Sequence, residues 1–339
     1  MKVVYFNGGG ADYMAKLLLE GFNLLRRDGT IEFVAMNPLS DPAVDTHDMD
    51  AVGEKGCLDK VDWADLIIFD TSGGLEWISE SVKKIWLDRS IRNSKIVFID
   101  GTDSMGFIHD PDSFLAYFKR ECRYPNWMFN PTPLVRSLSF GIMKNLLDAD
   151  PSEQGARDAS YYQDEYDRRD IDISFIAQNT CGLRAQFAQF LDTLKQHNPQ
   201  LNIDCRLVEN SDTVPSDEYY DVLRRSKISL SLPGVGIDTL RYWEIPACGA
   251  VLCSYDITYR IFIRNGYEPN RHKIVFESPQ NLGQQLSHIM PNKPLWCMMR
   301  RAADICSLQH TSYRRALDVL NMSFESGMFN SEMVRGAIK

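Results

Sequence analysis

The residues best suited to chemistry lie in one stretch, SKISLSLPGVGIDTLRYWEIPACGAVLCS, at positions 226–254. Pro233, Gly234 and Gly236 form a tight loop of small residues, in which the backbone can approach a ligand closely. A helix is expected to begin shortly afterwards, and the free N–H groups of a helix N-terminus suit a phosphate group. The loop and the helix that follows it therefore predict an anion-binding site.

This loop is predicted to lie between two buried strands, with a short helix after it. Asp238 and Thr239 are suited to cap that helix, and Gly249 is suited to end it. The predicted bounds are 227–232 and 250–254 for the strands and 240–247 for the helix. Such a unit is half of a doubly wound α/β domain, which binds ligands at the carboxyl ends of its strands.

Glu244 is a carboxylate inside the predicted helix, among apolar neighbours. A buried charge without a partner is too unfavourable to persist, so this side chain must be exposed on one face or bonded to something. An ion pair with a nearby arginine is one interpretation, and a bond to a ligand is the other. The residues alone leave both open.

Four segments resemble the CgeB-like glycosyltransferases, which are GT-B enzymes. The pattern R-x-x-E-x-x-A-C-G-A, from Arg241 through Glu244 to Ala250, is similar to their R-x-F-E-x-x-A-C-G-A signature. H-T-S-Y-R-R at 310–315 is similar to their H-T-Y-x-x-R segment. D-I-S-F-I at 172–176, followed by Arg184, resembles the opening of their C-terminal domain. F-K-R-E at 118–121 is also similar to a tetrapeptide of these proteins.

The resemblance implies a fold and an activity. The fold would be α/β, with two Rossmann-like domains facing across a cleft. The activity would be that of a hexosyl- or pentosyltransferase moving a sugar from a nucleotide-diphosphate sugar, a UDP- or GDP-sugar, to an acceptor hydroxyl. Neither a metal nor a cofactor beyond that co-substrate is expected. The acceptor stays open among a glycan, a protein and a modified nucleobase.

The resemblance also implies roles for residues of the donor site. Glu244 would accept hydrogen bonds from the ribose hydroxyls, while the loop backbone and two arginines would hold the phosphates. The predicted donor-binding residues are Arg184, Gly234, Gly236, Asp238, Thr239, Arg241 and Glu244. Related retaining enzymes carry another glutamate eight residues before Glu244, where this chain has Gly236. Asp238 is a possible substitute, and sugar identity and stereochemistry stay open.

The N-terminal half alternates predicted strands with helices, which is typical of a parallel sheet. Strands are predicted at 2–7, 31–36, 64–70 and 95–100, and helices at 12–27 and 113–121. Asp70, Asp100 and Asp103 follow strands and are expected to be exposed where a cleft would form. An inverting transferase needs a base for the acceptor proton, and Asp103 is the first candidate, with His109 second. The alternative is that these aspartates only cap loops or helices.

The first strand is followed by Gly8, Gly9 and Gly10, a turn suited to an acceptor or phosphate contact. Tyr13 stands where a dinucleotide fingerprint would have its third glycine, which disfavours an oxidoreductase.

Short D-x-D strings occur at 48–50, 148–150 and 170–172, but such strings arise by chance in acidic loops, and we predict no metal site.

Length and composition indicate the domain plan. A chain of 339 residues is expected to form two domains. Polar, charge-rich sequence over 148–170 predicts the boundary: an acceptor domain at 1–150, a linker at 151–170 and a nucleotide-sugar domain at 171–310. The last part, 311–339, is predicted as a helix that packs back on the first domain. A further helix is predicted at 256–266.

The charge and the cysteines restrict the class of protein. The net charge of −9 provides no overall attraction to nucleic acid or anionic lipid. Neither a signal peptide nor a membrane span is expected, and the 8 cysteines include no C-x-x-C pair. A cytoplasmic enzyme is the prediction. The alternative is a two-domain α/β protein that binds a sugar or nucleotide without turnover.

Overall fold

The computed structural model describes residues 1–7, 12–36, 61–70, 88–122, 135–147, 157–209, 212–257 and 261–324. The chain divides into two compact units. The first comprises Met1–Phe140, Phe262–Arg264 and Ser312–Lys339, and the second comprises Gly141–Ile261 and Asn265–Thr311. The chain therefore enters the second unit at residue 141, whereas the first domain was predicted to extend to residue 150.

The first unit is built on a six-stranded sheet in the order β2-β1-β3-β4-β5-β6. All neighbouring strands are parallel. Apart from the aspartate that ends each of them, β3 and β4 are apolar and buried on both faces, as central parallel strands require. The strands are β1 Lys2–Asn7, β2 Glu32–Met36, β3 Leu66–Asp70, β4 Ile96–Asp100, β5 Ala116–Lys119 and β6 Val135–Ser137.

Two long helices pack together in the first unit. The helix Tyr13–Arg27 is capped by the Asp12 carboxylate, and the helix Ser312–Phe324 lies against it. They meet at Gly21, where a Cβ atom would collide with the backbone carbonyl of Ser312. The short helix Arg89–Lys95 precedes β4. Of the segment 311–339, residues 325–339 lie outside the described residues.

The second unit is built on a five-stranded parallel sheet in the order β11-β10-β9-β7-β8. Its strands are β7 Ile171–Gln178, β8 Ile203–Val208, β9 Ser226–Ser231, β10 Val251–Tyr255 and β11 Lys273–Phe276. Its helices are Ala159–Arg168, Gly182–His197, Ser216–Arg225, Leu240–Ala247, Pro279–Ile289 and Lys293–Ser307. The helix Leu240–Ala247 has the predicted bounds, and Gly249, with φ of 85°, ends it as predicted.

Two helix predictions are wrong. A helix was predicted at 113–121, but the structure has a turn of 3₁₀-helix, Pro111–Ser113, followed by strand β5. β5 is buried on both faces, so its continuous apolar run could not be distinguished from a buried helix by periodicity. Within 256–266, residues 261–266 are not helical, and Asn265 has φ of 53°, a left-handed conformation that interrupts a helix. Residues 258–260 lie outside the described residues.

The linker predicted at 151–170 also differs from the structure. Residues 159–168 form a helix of the second unit, and Glu165 and Arg169 are buried. Their polarity was misleading because these charges pair with one another inside the unit instead of facing water. Within the described ranges, none of the helices is long and apolar enough to cross a membrane.

Candidate nucleotide-sugar site

The chain order of the second sheet reverses between β7 and β9, and we call the edge beyond the carboxyl ends of these two strands the β7–β9 crevice. From β7 the chain continues to β8 on one side of the sheet, whereas β9 pairs with β7 on the other side. Ligands of doubly wound folds bind beyond the carboxyl ends of the two strands at such a point. The loops that leave these ends are 179–181 and 232–239, and the second contains the predicted glycine loop. The topology therefore places the predicted anion site at the expected edge of the sheet.

Arg184 joins the two loops of the crevice. Its buried guanidinium donates from Nη1 to the Gln178 carbonyl (2.9 Å), from Nε to the Pro233 carbonyl (3.0 Å) and from Nη2 to the Leu232 carbonyl (3.3 Å). The side chain therefore fixes the geometry of the crevice, a role that the sequence did not reveal. Its position in the first turn of the helix Gly182–His197 agrees with the prediction.

Gly234 is required by this arginine. A Cβ atom at position 234 would lie 2.5 Å from Nη2 of Arg184. The Gly234 N–H donates to the Gly236 carbonyl at 2.9 Å, which closes the turn. The loop therefore needs a glycine because the guanidinium of Arg184 is packed against it.

Arg241 supplies a second cation at the same edge. Its Nε donates to the carbonyl of Ile176, in β7, at 2.6 Å. Burial, together with the smaller effect of the charge of Arg241, lowers the pKa of Arg184 to about 10. Within the described part of the chain, neither arginine has a carboxylate at ion-pair distance. The crevice thus holds two repelling positive charges.

Glu244 is bonded to tyrosines and not to an arginine. Its Oε2 accepts a hydrogen bond from the Tyr219 hydroxyl (2.9 Å), and its Oε1 accepts one from the Tyr220 hydroxyl (3.0 Å). Burial raises the pKa of Glu244, while the two phenols and the charge of Arg241 act in the opposite direction. The ion-pair interpretation is therefore wrong for this structure. Sequence reasoning missed the tyrosines, whose signal was two adjacent phenols at positions 219 and 220.

Asp238 and Thr239 do not cap the helix with their side chains. Asp238 is buried, and its Oδ1 accepts a hydrogen bond from Nε1 of Trp243 at 2.8 Å. Thr239 occupies the N-cap position, but its hydroxyl bonds to that of Ser231 at 3.1 Å. The predicted N-cap position is therefore correct for Thr239 and wrong for Asp238, and neither side chain caps the helix because each is bonded to another side chain. Their backbone N–H groups remain candidates for binding phosphate.

The acidic residues at the edge of the first sheet differ from the prediction. Asp70 and Asp100 were expected to be exposed, yet each is only 1% exposed. Asp70 accepts a hydrogen bond from Tyr5, whereas Asp100 pairs with Lys119 at 2.8 Å and accepts another bond from Tyr117. The prediction is wrong because these carboxylates have buried partners in the sheet.

Asp103 and His109 also lie in the first unit. The Asp103 side chain is 49% exposed and forms an ion pair with the buried Arg120, which competes with any acceptor hydroxyl for its oxygens. His109 packs edge-on against Phe98, and burial lowers its pKa. Both stay predictions as catalytic bases. Gly8, Gly9 and Gly10 lie outside the described residues.

Asp12 is a further carboxylate that sequence reasoning treated only as the start of a helix. Its Oδ1 caps the Met14 N–H, whereas its Oδ2 is buried without a hydrogen-bond partner among the described residues. Burial raises the pKa of Asp12, Arg120 lowers it, and Asp103 raises it, so the three side chains share one electrostatic environment. Asp12 therefore joins Asp103 and His109 as a candidate base.

The described residues contain no group of three or more His, Cys, Asp or Glu side chains that could hold a metal ion. Asp170 pairs with Arg225, and Asp172 pairs with Lys227. The other two D-x-D strings, at 48–50 and 148–150, lie outside the described ranges. Metal independence stays a prediction.

Two units with doubly wound parallel sheets define a class, the GT-B fold, and solved structures of that class match the chain along its length. An α-glucosyltransferase in complex with UDP and a 13-mer DNA containing a HMU base has a TM-score of 0.58 and 13% identity, covering 96% of this chain and 100% of the other. HepE of Anabaena in complex with UDP has a TM-score of 0.51 and 10% identity, and the match covers 95% of this chain and 99% of HepE. A glycosyltransferase from Rickettsia africae has a TM-score of 0.50 and 12% identity, and the match covers 97% of this chain and 99% of the other.

The sequence itself gives the narrower assignment. Residues 184–321 match the family model described as "Glycosyl transferase-like", and this range begins at Arg184 and includes Arg241 and Glu244. A search of curated proteins gives no significant match. The protein is a glycosyltransferase with the GT-B fold. This confirms the predicted fold class and enzyme class, whereas the resemblance to CgeB-like enzymes in particular stays a prediction.

Proposed function

We propose that the second unit binds a UDP-sugar in the β7–β9 crevice and that the protein transfers the sugar to an acceptor hydroxyl. The observation that carries the proposal is the pair of arginines, Arg184 and Arg241, held at this edge without a carboxylate at ion-pair distance among the described residues. A diphosphate placed between them would neutralise both charges. UDP is the nucleotide in the structures of the α-glucosyltransferase and HepE, which makes it the first candidate here.

Two further features of the crevice favour an anion. The helix Gly182–His197 begins there with no acidic residue in its first turn and no side-chain cap, so its first N–H groups can receive a phosphate. The Thr180 hydroxyl, just before this helix, is buried and has no hydrogen-bond partner in the described part of the chain. A phosphate oxygen would supply that partner.

In the proposed reaction, the bond between the anomeric carbon and the β-phosphate oxygen breaks, and a bond from that carbon to the acceptor oxygen forms. Arg184 and Arg241 would stabilise the negative charge that develops on the departing UDP. The acceptor proton would pass to a base, for which Asp103, His109 and Asp12 of the first unit are candidates. Glu244 would orient the donor by accepting hydrogen bonds from its ribose.

The Arg241→Ala variant is expected to bind UDP about 10- to 100-fold more weakly, since a hydrogen bond to a charged group contributes about 1.5–3 kcal/mol. Isothermal titration calorimetry with UDP measures the change. Arg225→Ala is the matched control, because Arg225 is an arginine of the same unit whose exposed guanidinium pairs with Asp170. Unchanged UDP affinity in a folded Arg241→Ala protein would contradict the proposal.

The affinity for UDP is also expected to depend on the ionisation of Glu244. Burial raises the pKa of this carboxyl, and only its ionised form can accept hydrogen bonds from the ribose with both oxygens. Affinity should therefore be complete above the raised pKa and be lost as the pH falls through it. Glu244→Gln should lack this component, so the ratio of the two dissociation constants, measured from about pH 5 to 8, isolates it from phosphate titration. A ratio close to one over this whole range would contradict the placement of Glu244 in the site.

A further inference from the structure

The Tyr219–Tyr220 pair is unusual in the way that it binds Glu244. Both tyrosines lie on the helix Ser216–Arg225, as consecutive residues, and their rings are 5.1 Å apart. Each hydroxyl carries one proton, and each donates it to a different oxygen of the same carboxylate, at 2.9 and 3.0 Å. The carboxylate is therefore held at both oxygens, which fixes its rotation as well as its position.

The number of remaining acceptor sites matches a diol. An ionised carboxylate offers about four lone-pair sites, two on each oxygen. After the two phenols have donated, one site is left on each oxygen of Glu244. The 2′- and 3′-hydroxyls of a ribose are two adjacent donors, and each could bind one oxygen.

The positive charge nearby leaves those sites open. Arg241 lies one turn earlier on the same helix and lowers the pKa of Glu244, yet it donates its Nε proton to Ile176 and is not at ion-pair distance from the carboxylate. A bidentate arginine would have used one acceptor site on each oxygen with its own fork of donors. The phenols hold the carboxylate with one proton each. Because they are neutral, they do not compete with Arg184 and Arg241 for a diphosphate.

We propose that Tyr219 and Tyr220 are positioning residues that orient Glu244 to accept both ribose hydroxyls of the donor nucleotide. The inference rests on the proposed function, because it requires the nucleotide to bind beside Glu244. It predicts that the tyrosines control the discrimination between ribose and deoxyribose, a property that merely structural tyrosines would not affect.

The experiment compares the affinities for UDP and 2′,3′-dideoxy-UDP, measured by calorimetry. Wild type is expected to prefer UDP. Tyr219→Phe and Tyr220→Phe should each reduce this preference about 5- to 20-fold, less than the loss of a whole hydrogen bond to a charged group because the other phenol still holds the carboxylate, and the double variant should nearly abolish it. Affinity for the dideoxy nucleotide should change little, since that ligand has no hydroxyl for Glu244 to bind.

Tyr162→Phe is the matched control. The Tyr162 hydroxyl donates to a buried carboxylate, that of Asp304, at 3.0 Å in the same unit, so its loss removes the same kind of bond outside the crevice. All these variants keep the aromatic ring, and thermal melting confirms that each is folded. If the double variant does not fold, the two single variants still provide the test.

The possible outcomes separate this inference from the proposed function. If wild type binds UDP, and Glu244→Gln loses the ribose preference while both tyrosine variants retain it, the positioning role is overturned and the donor site stands. If a tyrosine variant binds UDP more tightly, the phenols compete with ribose for Glu244, which also overturns the positioning role. If wild type does not bind UDP, the proposed function itself fails, and this inference fails with it. If wild type binds UDP and 2′,3′-dideoxy-UDP equally, the donor site stands, but Glu244 does not bind the ribose and this inference alone is overturned.

Discussion

Gly249→Ala should destabilise the second unit by about 4–6 kcal/mol, the largest effect that we expect from the loss of a glycine in this protein. Gly249 has φ of 85°, where a residue with a Cβ atom is strained by about 1–2 kcal/mol. A Cβ atom here would also collide with Nη2 of Arg169 and Oε1 of Glu165, and would lie 3.2 Å from Nη2 of Arg300.

These three side chains belong to a buried network of charges. Arg169 donates to Glu165 at 2.5 Å and to the carbonyls of Leu223 and Ser226, which anchors the helix Ala159–Arg168 to the sheet. Arg300 lies between Glu165 and Asp304, at 3.5 and 3.2 Å. Separating one buried pair typically costs about 3–5 kcal/mol, since each charge is left without its partner.

Urea denaturation measures the loss, and Gly29→Ala is its matched control. Gly29 has φ of 79°, nearly the same as Gly249, but no atom lies within 4 Å of the place that its Cβ atom would take. The control should therefore lose only about 1–2 kcal/mol, the cost of the backbone conformation. Equal losses in the two variants would show that the charge network has no part in selecting glycine at 249.

Lys119→Met should destabilise the first unit by about 3–5 kcal/mol, because it leaves Asp100 buried without its counter-ion. The side chains of Lys119 and Asp100 are 1% and 0% exposed, and their ion pair is 2.8 Å long. Asp100 would keep hydrogen bonds from Tyr117 and Thr102, but both donors are neutral. The double variant with Asp100→Asn should recover most of the loss, since it removes both charges.

Lys227→Met is the matched control for this experiment. The pair of Lys227 and Asp172 has the same length, 2.8 Å, but its side chains are 22% and 19% exposed, so water can solvate the remaining charge. This control should lose about 1 kcal/mol or less. Guanidinium chloride denaturation compares the variants. If Lys119→Met lowers the free energy of unfolding no more than Lys227→Met does, burial does not make Asp100 more dependent on its counter-ion.

The sequence by itself determined the features that depend on short segments of chain. The alternation of predicted strands with helices indicated a parallel sheet, and strands β3 and β4 lie within the ranges predicted for them. The helix Leu240–Ala247 and its terminal Gly249 were predicted with the correct bounds, since left-handed backbone at a helix end selects glycine locally. Together with the resemblance, these patterns were sufficient for the fold class and for the enzyme class.

Only the tertiary structure decided the partners of the polar side chains. Arg184 was predicted as a phosphate ligand, but it also holds the Pro233 carbonyl, 49 residues away along the chain. Glu244 was expected beside an arginine or a ligand, and it is bound by Tyr219 and Tyr220, which are 25 and 24 residues earlier.

The charged residues near 165 show the same limit. They were interpreted as a linker because polar composition usually indicates exposure, whereas Arg169 reaches the Cys248 carbonyl, 79 residues away, in a buried network. A buried charge is stable only with a partner, and residues far apart in the chain become partners only when the sheet is assembled. Local periodicity contains the information for strands and helices, but it contains none about these distant pairs.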